Sequence, residues 1–174
     1  DDRYAFAAPV YGCLSNAEGA GEFGSYIRNN EGADLWDDTG ALAAGNAPIL
    51  FVNSDTDTHF TLDSMARCIR AAKYGAATVI PGLTHGHAQG AEVREVFAFA
   101  DEICLKKTPL ESVKVSEAVQ RYTLSETVDS STEWAEEKAT LSGGYVFVSA
   151  EKYKRHYYIL LRDSRGLYAA SVLV

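Results

Sequence analysis

Apolar residues gather in three short blocks over the first part of the chain, and the rhythm then changes. Residues 4–11 (YAFAAPVY), 48–53 (PILFVN) and 76–80 (AATVI) are nearly continuous apolar runs. Such runs suit strands covered on both faces, as parallel strands are. Between the second and third runs, Leu62, Met65, Ile69 and Ala72 fall on one stripe at steps of three and four. That spacing predicts a helix over residues 63–74, with Gly75 as its C-terminal cap. Beyond the third run, Val93, Val96, Phe97, Ala100 and Ile103 predict a second amphipathic helix over residues 91–106. Residues 13–46 are rich in Gly, Asn, Asp and Glu. They read as a long excursion with short helices near residues 21–29 and 39–44, and long excursions often border a binding site. Strands alternating with helices predict an α/β fold, a parallel sheet with right-handed crossovers.

The rhythm changes near Lys107-Thr108-Pro109. Short blocks of aromatic and β-branched residues follow at 118–124, 133–141, 145–150, 156–162 and 167–174. Turn sequences separate them: Asp129-Ser130-Ser131, Ser142-Gly143-Gly144 and Asp163-Ser164-Arg165-Gly166. This pattern predicts a small antiparallel β-sandwich. The expected organisation is a partial α/β domain over 1–109 and a β-sandwich domain over 110–174.

Charge narrows the partners. The formal net charge of -8 argues against nucleic acid and anionic membrane, which require a basic face. No apolar stretch approaches the length of a membrane-spanning helix. Cys13, Cys68 and Cys104 form no C-x-x-C, so they support neither a zinc knuckle nor a redox pair and read as small core residues. The opening DDRYAFAAPVYGC lacks the basic start of a signal peptide. It begins directly on a core-type strand, which predicts that the chain is the later part of something longer.

Ligands of open α/β sheets bind beyond the carboxyl ends of the strands. Two polar loops fall at such ends: Ser54-Asp55-Thr56-Asp57-Thr58-His59-Phe60 after PILFVN, and Thr84-His85-Gly86-His87 after the third strand. An acid and a histidine on neighbouring loops have a chemical use. The carboxylate accepts Nδ1–H of the imidazole, fixes its tautomer and stabilises the imidazolium, so the ring can deprotonate a hydroxyl.

The segments APILFVNSDTDTHFTLDS and VIPGLTHGHAQGAEVREVFAFADE resemble the acid loop and the histidine loop of α/β-hydrolases. The similarity is to acetyl-xylan-esterase-like and dienelactone-hydrolase-like bacterial esterases. Asp57 matches the acid position, with Ser54 where glycine is usual, and His85 matches the histidine. The opening segment is similar to the sixth strand of that group, and the tail to an appended immunoglobulin-like β-domain. The nucleophile elbow G-x-S-x-G is missing. Ser15 (G-C-L-S-N) and Ser25 (F-G-S-Y-I) do not follow a strand in elbow order.

The resemblance therefore implies the C-terminal portion of a serine esterase or deacylase acting on a small carboxylic ester, such as an acetylated carbohydrate. Asp57 and His85 are its catalytic acid and base. The serine belongs to a missing N-terminal hydrolase segment or to a second chain, and this chain alone is expected to be inactive. No cofactor is implied. An extracytoplasmic bacterial location, secreted or periplasmic, follows from the resemblance alone. Asp55 is the fallback acid, read as an exposed turn residue. His59, Phe60, His87 and Trp36 are expected around the pocket, with His87 at its mouth or capping the next helix. His59, His85, His87 and Asp57 are also zinc-ligating types, but without an H-x-x-x-H scaffold no metal is assigned. The alternative is a non-catalytic carbohydrate- or partner-binding module on a degenerate hydrolase scaffold.

Overall fold

A computed structural model describes residues 3–12, 19, 21–31, 35, 37–106 and 114–174. The excursion carries two short helices, α1 (Glu22–Arg28) and α2 (Thr39–Ala44). Strand β1 (Ile49–Asn53) leads through a polar loop to α3 (Leu62–Ala71), then β2 (Gly75–Val79). Helices α4 (His87–Ala91) and α5 (Arg94–Leu105) follow. The tail holds β3 (Val115–Thr123), β4 (Ala135–Lys138), β5 (Thr140–Ser142), β6 (Tyr145–Phe147), β7 (His156–Asp163) and β8 (Tyr168–Ala170).

β1 and β2 pair in parallel, from Ile49 opposite Gly75 to Asn53 opposite Val79. The first apolar run lies on the other side of β1, with parallel bridges from Ala7 to Ile49 and from Val10 to Val52. Pro9 cannot donate to a ladder, and proline within a sheet belongs at an edge. Only its carbonyl is used, accepting from Val52 N–H at 3.0 Å.

The expected parallel sheet with a separate sandwich is not what forms. The six-stranded sheet runs β1-β2-β8-β7-β3-β4 and is mixed: β2–β8, β8–β7, β7–β3 and β3–β4 are all antiparallel. The tail strands extend the sheet that β1 and β2 begin, and among the described residues only the β5–β6 ribbon stands apart. The reason is the open edge of β2. An uncovered buried strand leaves a row of unpaired backbone groups, and β8 covers them. Alternation along a strand reports which face is buried, not which strand lies alongside. The boundary expected at residue 109 lies outside the described residues.

One face of the sheet packs on α3. Phe51, Leu62, Met65, Ile69 and Val79 share a cluster there with Val119, Tyr158, Leu160 and Leu173 of the tail. On the other face, Leu50 and Val52 meet Val93 and Phe99, with Phe6, Val96 and Ile103 packed around them. Phe97, expected on the inner stripe of α5, is exposed, and Phe99 takes the inward position. Cys68 is buried and Cys104 is exposed; Cys13 lies outside the described residues.

Candidate active site

The loop after β1 is fixed at both ends by one side chain. Asn53 is fully buried. Its Oδ1 accepts the N–H of Ser54 at 2.8 Å, and its Nδ2 donates to the carbonyl of Phe60 at 2.6 Å. Within that closed loop, Asp57 Oδ1 accepts the N–H groups of His59 and Phe60 at 2.8 and 2.9 Å. Its other oxygen, Oδ2, lies 2.7 Å from Nδ1 of His85. The Asp57 side chain has no exposed surface, while that of His85 is 35% exposed. With two amide N–H groups donating to Oδ1, Oδ2 of Asp57 is placed to accept from Nδ1 of His85, which puts the ring proton on Nδ1 and leaves the lone pair on Nε2.

The imidazole is held by rings as well. Tyr11 stacks on it at 4.4 Å between centroids, and His59 at 4.9 Å. Phe60 lies 5.8 Å away in near-parallel orientation. Tyr11 has φ 63, a left-handed conformation that a bulky residue adopts at a cost of about 1–2 kcal/mol. Two bonds hold it there: its N–H donates to Val52 O at 2.9 Å, and its hydroxyl donates to the Thr84 carbonyl at 2.8 Å. Burial raises the Tyr11 phenol above its ordinary range, a hydrogen bond with the Gly86 backbone opposes this, and the Asp57 charge adds to the rise. It therefore stays a donor at neutral pH.

Behind His59 stands the start of α1. Glu22 N–H donates to Thr58 O at 3.0 Å, and Phe23 lies 5.0 Å from the His59 ring. The fit is close: a Cβ on Gly21 would sit 2.5 Å from the His59 carbonyl oxygen. In front of the pair opens a cleft of about 320 Å³, lined by Val10, Tyr11, Phe60, His85, Gly86 and His87 among others. No serine, threonine or cysteine lines it among the described residues. Comparison with family models, with curated proteins and with solved structures gives no match for this chain.

Of the residues singled out in the sequence, Asp57, His59, Phe60 and His85 therefore meet. His87 is exposed on the cleft wall and opens α4. Trp36 and Ser15 lie outside the described residues. Asp55, expected exposed, is buried and paired with Arg121 at 2.9 Å. Tyr11 and Asn53 are site residues that the reading of the sequence missed. Each ends an apolar run and faces a loop, which is the signal that was available.

Asp57, His59 and His85 also offer metal-ligand atoms within 4.8 Å of one another. As they stand, they are arranged for hydrogen bonding. Asp57 Oδ2 and His85 Nδ1 engage each other, and Nδ1 of His59 engages Thr58 Oγ1 at 2.6 Å.

Proposed function

We propose that this chain supplies the acid and general-base half of a serine-type carboxylic ester hydrolase. The nucleophilic hydroxyl and the remaining substrate contacts come from polypeptide outside it, either an N-terminal segment or a second chain. The substrate class is a small ester, such as an acetylated carbohydrate, as the resemblance of the two loops implies. The observation that carries the reading is the 2.7 Å contact between His85 Nδ1 and a fully buried Asp57 whose other oxygen is held by two amides. In that arrangement His85 Nε2 takes the proton of an attacking alcohol and returns it to the leaving alkoxide, while Asp57 stabilises the imidazolium between the two steps. The mixed sheet departs from the fold that the resemblance implies, so the proposal rests on the site.

Two experiments test it. The reading frame upstream of codon 1 is expected to encode a G-x-S-x-G elbow. The protein that includes it is expected to hydrolyse 4-nitrophenyl acetate, with His85→Ala lowering kcat by a factor on the order of 10⁴ or more. An active protein that is indifferent to His85→Ala would sink the reading. So would His85-dependent, serine-type turnover by the present chain alone, which would place the nucleophile within it.

A second reading has one observation in its favour. Tyr145 and Phe147 stand exposed on the β5–β6 ribbon with centroids 6.5 Å apart, beside a cavity of about 530 Å³ that Leu141, Tyr145 and Tyr168 help to line. Exposed aromatic pairs of this kind suit carbohydrate. Glycan-array binding that disappears in Tyr145→Ala and persists in His85→Ala would favour a binding module over an enzyme.

A further inference from the structure

Asp57 and His85 lie on different loops, and a second carboxylate that takes no part in their contact ties those loops together. Three rungs join the chain leaving β1 to the chain leaving β2. At the base, Ile80 N–H donates to Asn53 O at 2.9 Å. At the top, Asp57 meets His85. Between them, Gly82 N–H donates to Asp55 Oδ1 at 3.0 Å. Gly82 has φ +71, so the histidine loop turns at the residue where this middle rung attaches, in a conformation that side chains rarely adopt.

The Asp55 side chain is only 4% exposed. A carboxylate so placed needs a counter-charge as well as an amide. The counter-charge comes from the tail: Arg121, on β3, donates from Nη2 to Asp55 Oδ2 at 2.9 Å. Arg121 also reaches Glu136 on β4 at 3.4 Å and stands opposite Tyr158 of β7 in the ladder. It thus belongs to the middle of the antiparallel strands, and it touches neither Asp57 nor His85.

We propose that Arg121 is a positioning residue for the Asp57–His85 pair, acting through Asp55, which sets the spacing of the acid and histidine loops. The inference rests on the functional reading above, because the pair is what is being positioned. It makes the tail part of the site's machinery, where the sequence pattern suggested an appended module.

The full chain provides the test without any turnover. A proton shared between His85 Nδ1 and a carboxylate at this distance gives a proton NMR resonance well downfield of the amides, which His85→Ala should remove. In Arg121→Met, that proton is expected to exchange with solvent at least tenfold faster, while the amide protons of β1 and β2 exchange as in wild type. General loosening of the fold would move both sets together. Arg121→Lys is expected to restore most of the protection. Should Arg121→Met fail to fold, the double variant Asp55→Asn/Arg121→Met leaves no buried charge unpaired and keeps an acceptor for Gly82. The same acceleration is expected there. Unchanged exchange of the His85 proton in whichever of these variants folds overturns the positioning role and leaves the pair intact. A wild-type spectrum with no such resonance overturns the pair itself, and this inference with it.

Discussion

The Asp57 carboxylate divides its two oxygens between two tasks, and a single substitution separates them. Oδ1 closes the loop through the amides of His59 and Phe60, and Oδ2 holds the imidazole. Asp57→Asn keeps an oxygen for the amides and presents an NH₂ to His85. The ring must then accept at Nδ1 and carry its proton on Nε2, where it cannot act as a base. The expected outcome is a folded protein whose ¹⁵N spectrum shows the opposite tautomer and, in the complete esterase, a kcat lower by about 10⁴. Retention of the wild-type tautomer would show that Asp57 does not set it. His59 provides a second test at this scale. Because its Nδ1 engages Thr58 Oγ1 and that of His85 engages Asp57, stoichiometric Zn²⁺ is expected to leave the His85 Nδ1 resonance in place. Its loss at one equivalent of zinc, with recovery on adding a chelator, would make Asp57, His59 and His85 metal ligands instead. The sequence made Asp57 and His85 conspicuous because each follows an apolar run in a polar loop. It did not reveal Tyr11, since a left-handed tyrosine has no signature in residue type. It misjudged Asp55, because nothing in S-D-T-D says that an arginine 66 residues later will be brought to it.

The helices and strands were legible to the extent that local pattern determines them. α1, α2, β1 and β2 lie where periodicity and apolar runs put them; α3 does too but ends at Ala71, capped by Ala72, while Gly75, expected as its cap, opens β2; and Asp163-Ser164-Arg165-Gly166 is a turn between β7 and β8. That turn is built around one side chain. Asp163 Oδ1 accepts the N–H groups of Arg165 at 2.7 Å and Leu167 at 3.0 Å, and Oδ2 accepts from Arg165 Nε at 2.9 Å. Burial alone would raise the Asp163 carboxyl. The N–H groups of Leu167 and Arg165 and the Arg165 guanidinium outweigh it and hold the group below its ordinary range. A carboxyl lowered in the folded state contributes stability above its unfolded pKa of about 3.9, and that contribution fades as pH falls through the folded value. Asp163→Ala is therefore expected to cost about 1–3 kcal/mol at pH 7, with the mutant and wild-type melting curves converging in acid. A constant gap down to the lowest pH at which both fold would contradict this account of the turn. The pairing partner of β8 was not legible. The three residues of β8 are all half-buried, a pattern equally suited to a sandwich and to the edge of β2.

At the scale of the molecule, the placement of β8 decides how the chain folds. It joins β2 on one side and β7 on the other, so a strand from the last ten residues sits near the middle of the sheet that carries the site. The tail also fills the core under β1 and β2. Val119, Tyr158, Leu160 and Leu173 share a cluster with Phe51, Met65 and Val79. A fully buried leucine or comparable side chain contributes about 1.5–3 kcal/mol, and a domain of this size is stable by about 5–15 kcal/mol in all. Removing these four side chains, together with the pairing that covers β2, takes away as much as the whole fold has in reserve. A chain cut after residue 109 is therefore expected to lack a cooperative thermal transition and to associate through the uncovered edge of β2. The intact chain is expected to melt in one step by circular dichroism and by the His85 Nδ1 resonance alike. Two separated transitions in the intact chain, or a truncated chain that melts cooperatively and still shows that resonance, would mean that the acid–histidine pair stands without the tail. Coincident loss of both signals would mean that the strands after residue 114 and the loops bearing Asp57 and His85 are one cooperative unit, held in part by the single arginine that reaches from β3 to Asp55.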